Sequence, residues 1–271
     1  GSDNLDPEGQ VRDPRGVFGR PNCIATLKSD RIIINGQKSA WVSNGTIAEL
    51  CVLFCACDSG AGPDSAHGCV VVVPLDRRGV SKGKPLDKLG QRALNQGEIF
   101  FDEVEVPMEY LMAGPEYYQR AVYTIHHEAN GLVAAGLVGL ARAAYEHAHD
   151  YAHQRRQGGA PLIRHQQVAA RLFHMYRKLE AARALARRVV EFNMTAEMPS
   201  LSAAMAAKAG CTQAAYGIAS DALQMFGGNG MTREYPLEKL FRDARAGLIE
   251  DGCNEMLAIK GGYGLADPAL L

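Results

Sequence analysis

Two hydrophobic periods divide this sequence. From Cys23 to about Met112, short runs rich in β-branched and aromatic residues recur: Ile24-Ala25-Thr26-Leu27, Arg31-Ile32-Ile33-Ile34, Leu50 to Ala56, Cys69 to Val73 and Glu98 to Val106. Turn residues stand between them, at Ser29-Asp30, Asn35-Gly36, residues 58–68 and Gly79. Short strands at this spacing predict an antiparallel β-barrel or sandwich. Gly114-Pro115 is a natural boundary, and beyond it the apolar residues recur every three or four positions. Val133, Leu137, Leu140 and Ala144 mark one helix, and His126-His127-Glu128 lies just ahead of it. Val168, Leu172, Met175, Leu179, Ala182, Leu185 and Val189 mark a second. A third, Ala-rich helix runs from about Leu201 to Phe226 behind the capping pair Pro199-Ser200. Gly261-Gly262 is expected to stop the last helix. The expectation is an α+β chain: a β-domain over residues 1–113, beginning with a polar loop, then a four-helix bundle over 114–271.

Composition narrows the function classes. A chain of 271 residues with 47% apolar and 22% charged residues can bury a core in two domains. A formal net charge of -1 gives no support for nucleic-acid binding or a basic membrane surface. No apolar run reaches the roughly 20 residues that span a bilayer, and no cleavable signal pattern is seen. The seven cysteines are an odd number, and Cys51, Cys55 and Cys57 sit in a strand-like run that favours core thiols over zinc ligands. The expected setting is reducing and cytoplasmic, with no metal. Adjacent histidines in a helix diverge, so His126 and His127 are read as structural or surface residues.

The candidate chemistry is concentrated between Gln224 and Met256. A glycine cluster, Gly227-Gly228-Asn229-Gly230, lets backbone N–H groups approach a ligand. Glu234-Tyr235-Pro236 begins a helix. Asp251-Gly252 then forms an acid-glycine turn after Leu248-Ile249. From spacing alone, this is either a general base facing a ligand or a solvated acid in an interhelical turn.

The residues Gln224, Gly227, Gly228, Gly230, Glu234, Pro236, Glu238, Arg242, Asp243, Ala244, Ile249, Gly252 and Glu255 resemble the C-terminal region of the acyl-CoA dehydrogenases. These are flavoproteins that introduce an α,β double bond into acyl-CoA thioesters. Asn35-Gly36-Gln37-Lys38 with Trp41-Val42-Ser43-Asn44-Gly45 resembles that family's middle-domain segment, with one residue more before Trp41, where a bulge is expected. Leu89-Gly90-Gln91-Arg92 and Phe101 to Pro107 match family strands. Arg155-Arg156-Gln157-Gly158-Gly159-Ala160-Pro161-Leu162, followed by Gln166, resembles the family's Arg-x-x-Phe-Gly loop, with Gly158 in place of Phe. Gly1-Ser2-Asp3 reads either as a cloning remnant or as the close of a flavin-contacting motif. The family's all-helical N-terminal domain has no counterpart in the sequence.

The resemblance implies an FAD enzyme with Asp251 as base, where the family usually has Glu-Gly-Thr for Asp251-Gly252-Cys253. It places Ser2, Trp41, Ser43 and Cys253 toward the flavin, and Arg155, Gln166, Gln224, Gly227 and Gly228 toward the FAD of a neighbouring subunit. Asp251 and Gly252 would meet the acyl-CoA substrate. Implied partners are an electron-transfer flavoprotein and further copies of the chain, as a dimer of dimers, with no nucleic acid or membrane. Two rivals stay open: a flavin oxidase on the same scaffold (nitroalkane oxidases resemble this chain in using Asp as base), or a non-catalytic partner subunit. Glu128 competes for the base role, because some family members draw their base from this helix.

Overall fold

The computed structural model describes residues 2–3, 20–21, 23–60, 62 and 64–266, with the side chains at 2–3, 20–21 and 64–67 outside that description. It divides into two compact units. One is built from the residues before Leu89 with Arg92–Thr124, the other from Leu89–Gln91 with the residues from Ile125 on.

In the first unit, β1 (Ser2–Asp3) and β2 (Arg20–Pro21) form an antiparallel pair. The main sheet has seven strands: β3 (Cys23–Leu27), β4 (Arg31–Ser43), β5 (Leu50–Asp58), β6 (Asp64–Pro74), β7 (Val80–Lys82), β8 (Gln96–Pro107) and β9 (Leu111–Ala113). Their order is β7-β8-β4-β3-β5-β6-β9. All pairs are antiparallel except β3 with β5, so the sheet is mixed, and the pairing does not close it into a barrel. Alternate residues Ile32 and Ile34, Val71 and Val73, Val104 and Val106 are buried on one face, with Leu53, Cys55 and Ile99 beside them.

Asn35-Gly36 is not a turn. Strand β4 passes straight through it, with a register shift against β8 between Ile34 and Gly36. Gly36 takes φ 116°, and the Asn35 side chain donates to Glu103 Oε1 at 2.6 Å while accepting the Glu103 N–H at 2.8 Å. The residues that signal a turn here build a bulge instead. A second irregularity falls between Lys38 and Val42, where the extra residue before Trp41 is expected to be absorbed. Residues 58–68 are not all loop either, since β6 starts at Asp64.

The second unit is helical. Its elements are α1 (Pro115–Gln154, from Ile125 on), a hairpin of β10 (Arg156–Gln157) and β11 (Ala160–Pro161), α2 (Gln166–Thr195), α3 (Leu201–Phe226), α4 (Leu237–Gly247) and α5 (Asn254–Ala266). Small residues make the core: Ala134, Ala141, Ala144, Ala148 and Ala152 of α1, with Ala204, Ala207, Ala215, Ala219 and Ala222 of α3, are fully buried. Such stripes let helix backbones approach closely. Ser200 caps α3, accepting the Ala203 N–H at 3.1 Å.

Three expectations are corrected. Helix α1 begins at Pro115, so His126-His127-Glu128 lies inside it; none of residues 115–126 is buried, so no buried stripe marks its opening turns. Leu185 is 37% exposed while Ala186 is buried, so the buried stripe of α2 passes one residue further on. Gly261-Gly262 does not stop α5, which continues to Ala266, with Leu257, Lys260 and Gly264 on its buried side.

Candidate active site

The acid-glycine turn is built from the end of α4. Leu237, Asp243, Ala244 and Gly247 form the buried side of that helix. A Cβ on Gly247 would stand 3.0 Å from Leu137 Cγ and 3.3 Å from Thr212 Cγ2, so the absent side chain sets how closely α4 approaches α1 and α3. Past Gly247 the backbone winds down through Ile249 N–H to Ala246 O (2.8 Å) and Glu250 N–H to Ala246 O (3.0 Å). Asp251 (φ 49°) and Gly252 (φ 92°) are both left-handed and reverse the chain. The turn closes where the Asn254 N–H donates to Leu248 O at 3.0 Å, and α5 starts there.

The Asp251 carboxylate is exposed and forms no hydrogen bond or ion pair among the described residues. Glu250 is engaged elsewhere: Gln91 Nε2 donates to its Oε1 at 3.0 Å. That contact comes from residues 89–91, which form a bend packed on α4 and not the strand the sequence predicts. Gln91 (φ 48°) donates its N–H to buried Asp243, Lys239 also pairs with Asp243, and Arg242 Nη1 donates to Leu89 O at 2.6 Å.

Beneath the turn lies a residue that sequence reasoning missed. Lys208 of α3 is 0% exposed and donates from Nζ to Gly252 O at 2.6 Å and to Asn254 Oδ1 at 3.0 Å. Asn254 Nδ2 in turn donates to Thr212 Oγ1 at 3.0 Å. Burial pushes the Lys208 ammonium below its ordinary range, while the charges of Glu250 and Asp251 pull it back up. The available signal was its position: Lys208 falls four residues from both Ala204 and Thr212, on the buried stripe of α3. On α1, His126 is lowered by desolvation first and by the Lys260 ammonium second, with Asp251 acting the other way. Glu128 is exposed on α1.

The glycine cluster follows α3 as a short 3₁₀ turn, Gly227–Met231. Its glycines differ. Gly230 is required by packing, since a Cβ would fall 2.6 Å from Leu223 O. Gly227 needs its φ of 58°, and a Cβ on Gly227 or Gly228 meets nothing within 4 Å, so the backbone there is open. Asn229 Nδ2 donates to the Tyr151 hydroxyl at 2.9 Å, and the Tyr151 ring stacks on Phe226 at 3.9 Å. One turn beyond Tyr151 on the same chain, Arg155 is exposed, and its guanidinium has no partner among the described residues. Gln224, Gly227, Gly228 and Arg155 therefore come to one end of the bundle. Gln166, the exposed first residue of α2, follows the β10–β11 hairpin. Gly158 (φ 58°) and Gly159 (φ 81°) form the left-handed pair of that two-residue hairpin, so Gly158 is required by the turn.

In the first unit, Trp41 is 62% exposed on β4, which removes core packing as its reason. Ser43 is exposed at the strand's end, 3.5 Å from Gln96 Nε2. The Ser2 side chain lies outside the described residues. Cys253 is half-buried. Among the described residues no cluster of three metal-ligating side chains is found. No described helix is long and apolar enough to cross a membrane.

Residues 19–104 match the acyl-CoA dehydrogenase middle domain and residues 118–262 the acyl-CoA dehydrogenase C-terminal domain. The chain belongs to the acyl-CoA dehydrogenase family. An acyl-CoA dehydrogenase of Bacillus subtilis (strain 168) is 34% identical over 88% of this chain and 62% of its own length. The mitochondrial short/branched chain specific acyl-CoA dehydrogenase of Bos taurus is 32% identical over 86% of this chain and 53% of its own. The structure of butyryl-CoA dehydrogenase from Megasphaera elsdenii has a TM-score of 0.86 at 27% identity, over 97% of this chain and 67% of that one. This family member thus spans less than two thirds of the curated relatives it matches, and within that span it carries both the mixed-sheet and the helical domain.

Proposed function

We propose that this protein takes part in FAD-dependent α,β-dehydrogenation of an acyl-CoA thioester, with Asp251 as the base that removes the α-proton. The observation that carries this is the contrast between neighbouring acids. Asp251 is exposed and unpaired on a closed turn, while Glu250 is held by Gln91. A general base must be free to take a proton and fixed in place, and Asp251 meets both conditions. Its own N–H meets no acceptor among the described residues, so it is available to a thioester carbonyl, where it would stabilise developing negative charge.

The residues present fit FAD. The open backbone at Gly227 and Gly228 and the unpaired Arg155 guanidinium suit a diphosphate, which prefers N–H groups and a forked cation. Arg155, Gln166, Gln224, Gly227 and Gly228 would hold the diphosphate and adenosine side of a neighbouring copy's cofactor. Ser2, Trp41, Ser43 and Cys253 would hold the flavin side. FAD, when bound, supplies the two-electron acceptor for hydride from the substrate's β-carbon. Sharing of cofactor residues between copies supports a homo-oligomer, as a dimer of dimers, and the family chemistry supports an electron-transfer flavoprotein as the onward acceptor.

The test is anaerobic flavin reduction in the full-length, FAD-loaded protein, with a panel of acyl-CoAs and a nitroalkane. Reduction by an acyl-CoA supports the reading. Reduction by the nitroalkane alone assigns an oxidase, and reduction by neither assigns a non-catalytic subunit. Asp251→Asn is expected to retain FAD and acyl-CoA binding and to slow reduction about 10²–10⁴-fold. Glu250→Gln is expected to change the rate far less. The reverse order would refute the base assignment.

A further inference from the structure

Lys208 is an unusual residue to bury, and nothing in the reaction itself calls for it. A lysine ammonium taken out of water is costly unless hydrogen bonds replace its hydration. Here the replacements are specific. They are the carbonyl oxygen of Gly252, one residue after Asp251, and the side chain of Asn254, the residue whose N–H closes the turn on Leu248 O. Thr212, four residues along α3, holds the other end of the Asn254 amide. The left-handed pair Asp251-Gly252 is thus fastened on both sides, by Leu248 O through Asn254 N–H and by Lys208 through Gly252 O.

We infer that Lys208 is a positioning residue for the base, fixing the Asp251-Gly252 turn so that the Asp251 carboxylate holds one placement. This rests on the assignment of Asp251 as the base. The reason it matters in this chain is reach. An Asp carboxylate ends about 1.5 Å short of a Glu on the same backbone, so it has one rotatable bond fewer with which to correct a shifted turn. Misplacement by about 1 Å is enough to cost a hundredfold in rate. A simpler structural role, tying α5 to α3, would lower stability on loss of Lys208 without acting through Asp251.

A double-mutant cycle in the full-length, FAD-loaded protein separates the two roles. The readout is the single-turnover rate of anaerobic flavin reduction by a saturating acyl-CoA, with acyl-CoA Kd measured alongside. Lys208→Met is expected to slow reduction about 10–100-fold with Kd changed less than about threefold. In an Asp251→Asn background, the same substitution is expected to slow it less than about twofold, because the group it positions is gone. An unchanged rate for Lys208→Met, or an equal factor in both backgrounds, overturns the proposal. Normal reduction by Asp251→Asn alone is a different result and refutes the base assignment. Should Lys208→Met not fold, amide exchange in the unaltered protein decides. The Asn254 and Leu257 amides are expected to exchange as slowly as the core of α3, and exchange at the rate of an open loop would overturn the proposal.

Discussion

Gly90→Ala is the substitution whose effect follows most directly from geometry. A Cβ at Gly90 would lie 2.2 Å from Arg242 O, 2.4 Å from Arg242 C and 2.8 Å from Asp243 N. All three are backbone atoms of α4, so no side chain can turn aside. Relief to an ordinary carbon–oxygen contact requires a retreat of roughly 1 Å. The bend cannot retreat without stretching the bonds that hold it, from Arg242 Nη1 to Leu89 O and from Gln91 N–H to the buried Asp243 carboxylate. Overpacking costs about 1–3 kcal/mol, and loss of a hydrogen bond to a charged group about 1.5–3 kcal/mol. A destabilisation of about 3–5 kcal/mol is expected. With a urea slope of about 2 kcal/mol per M, that lowers the unfolding midpoint by about 1.5–2.5 M.

The assay is urea unfolding followed by far-ultraviolet circular dichroism, with Gly262→Ala as control. Gly262 is helical, and a Cβ there meets nothing within 4 Å, so the same chemical change should stabilise by about 0.5–1 kcal/mol. The loop also meets Glu250 through Gln91, so Gly90→Ala should weaken that contact beside Asp251. A loss below about 1 kcal/mol in Gly90→Ala would refute the account of residues 89–91 as fastened to α4.

Other outcomes follow from single contacts. Ser200→Ala removes the cap on the Ala203 N–H and should cost about 1 kcal/mol in the same unfolding assay. Cys23, Cys57 and Cys211 are buried and pushed up to about 11, 12 and 11, chiefly by desolvation, so a thiol reagent near neutral pH should label half-buried Cys253 ahead of them. Cys253→Ser should remove the fast phase, and added FAD should slow it if Cys253 lies toward the flavin. The His126 imidazole is lowered in the fold by desolvation and by Lys260, so near and below its unfolded pKa the unfolded chain binds more protons. Stability should therefore fall as pH drops through about 6.5 toward the lowered value, and the unfolding midpoint of His126→Gln should fall less steeply there.

How far the sequence could be read depends on where the partners of each residue lie. The Asp251-Gly252 turn was legible because its cause is local: an acid and a glycine at the end of an amphipathic helix take left-handed conformations together. The long helices were legible where a repeating buried stripe marked them, as in α3, whose limits Leu201 and Phe226 match the expectation. The early start of helix α1 was not legible because its opening turns bury no residue before His127 and so show no stripe. Asn35-Gly36 misled because a turn pair and a bulge draw on the same freedom at positive φ. What decided between them was Glu103, far along the chain on β8.

The same reasoning separates what was found in the site from what was missed. Asp251 and the open glycines Gly227 and Gly228 carry their chemistry in their own side chains or in the lack of them. Lys208 and Gln91 act through distant partners, among them Gly252 O and Glu250 Oε1, and a sequence shows neither contact. A lone lysine on the buried stripe of an Ala-rich helix is nevertheless a legible anomaly. Burying it is costly enough that a polar partner must lie across the packing surface. Here that partner is the backbone of the turn that presents the unpaired acid. The two features that single out this turn, a free carboxylate above it and a buried ammonium beneath it, therefore have one explanation: the fold spends a buried charge to hold an Asp where reach is short.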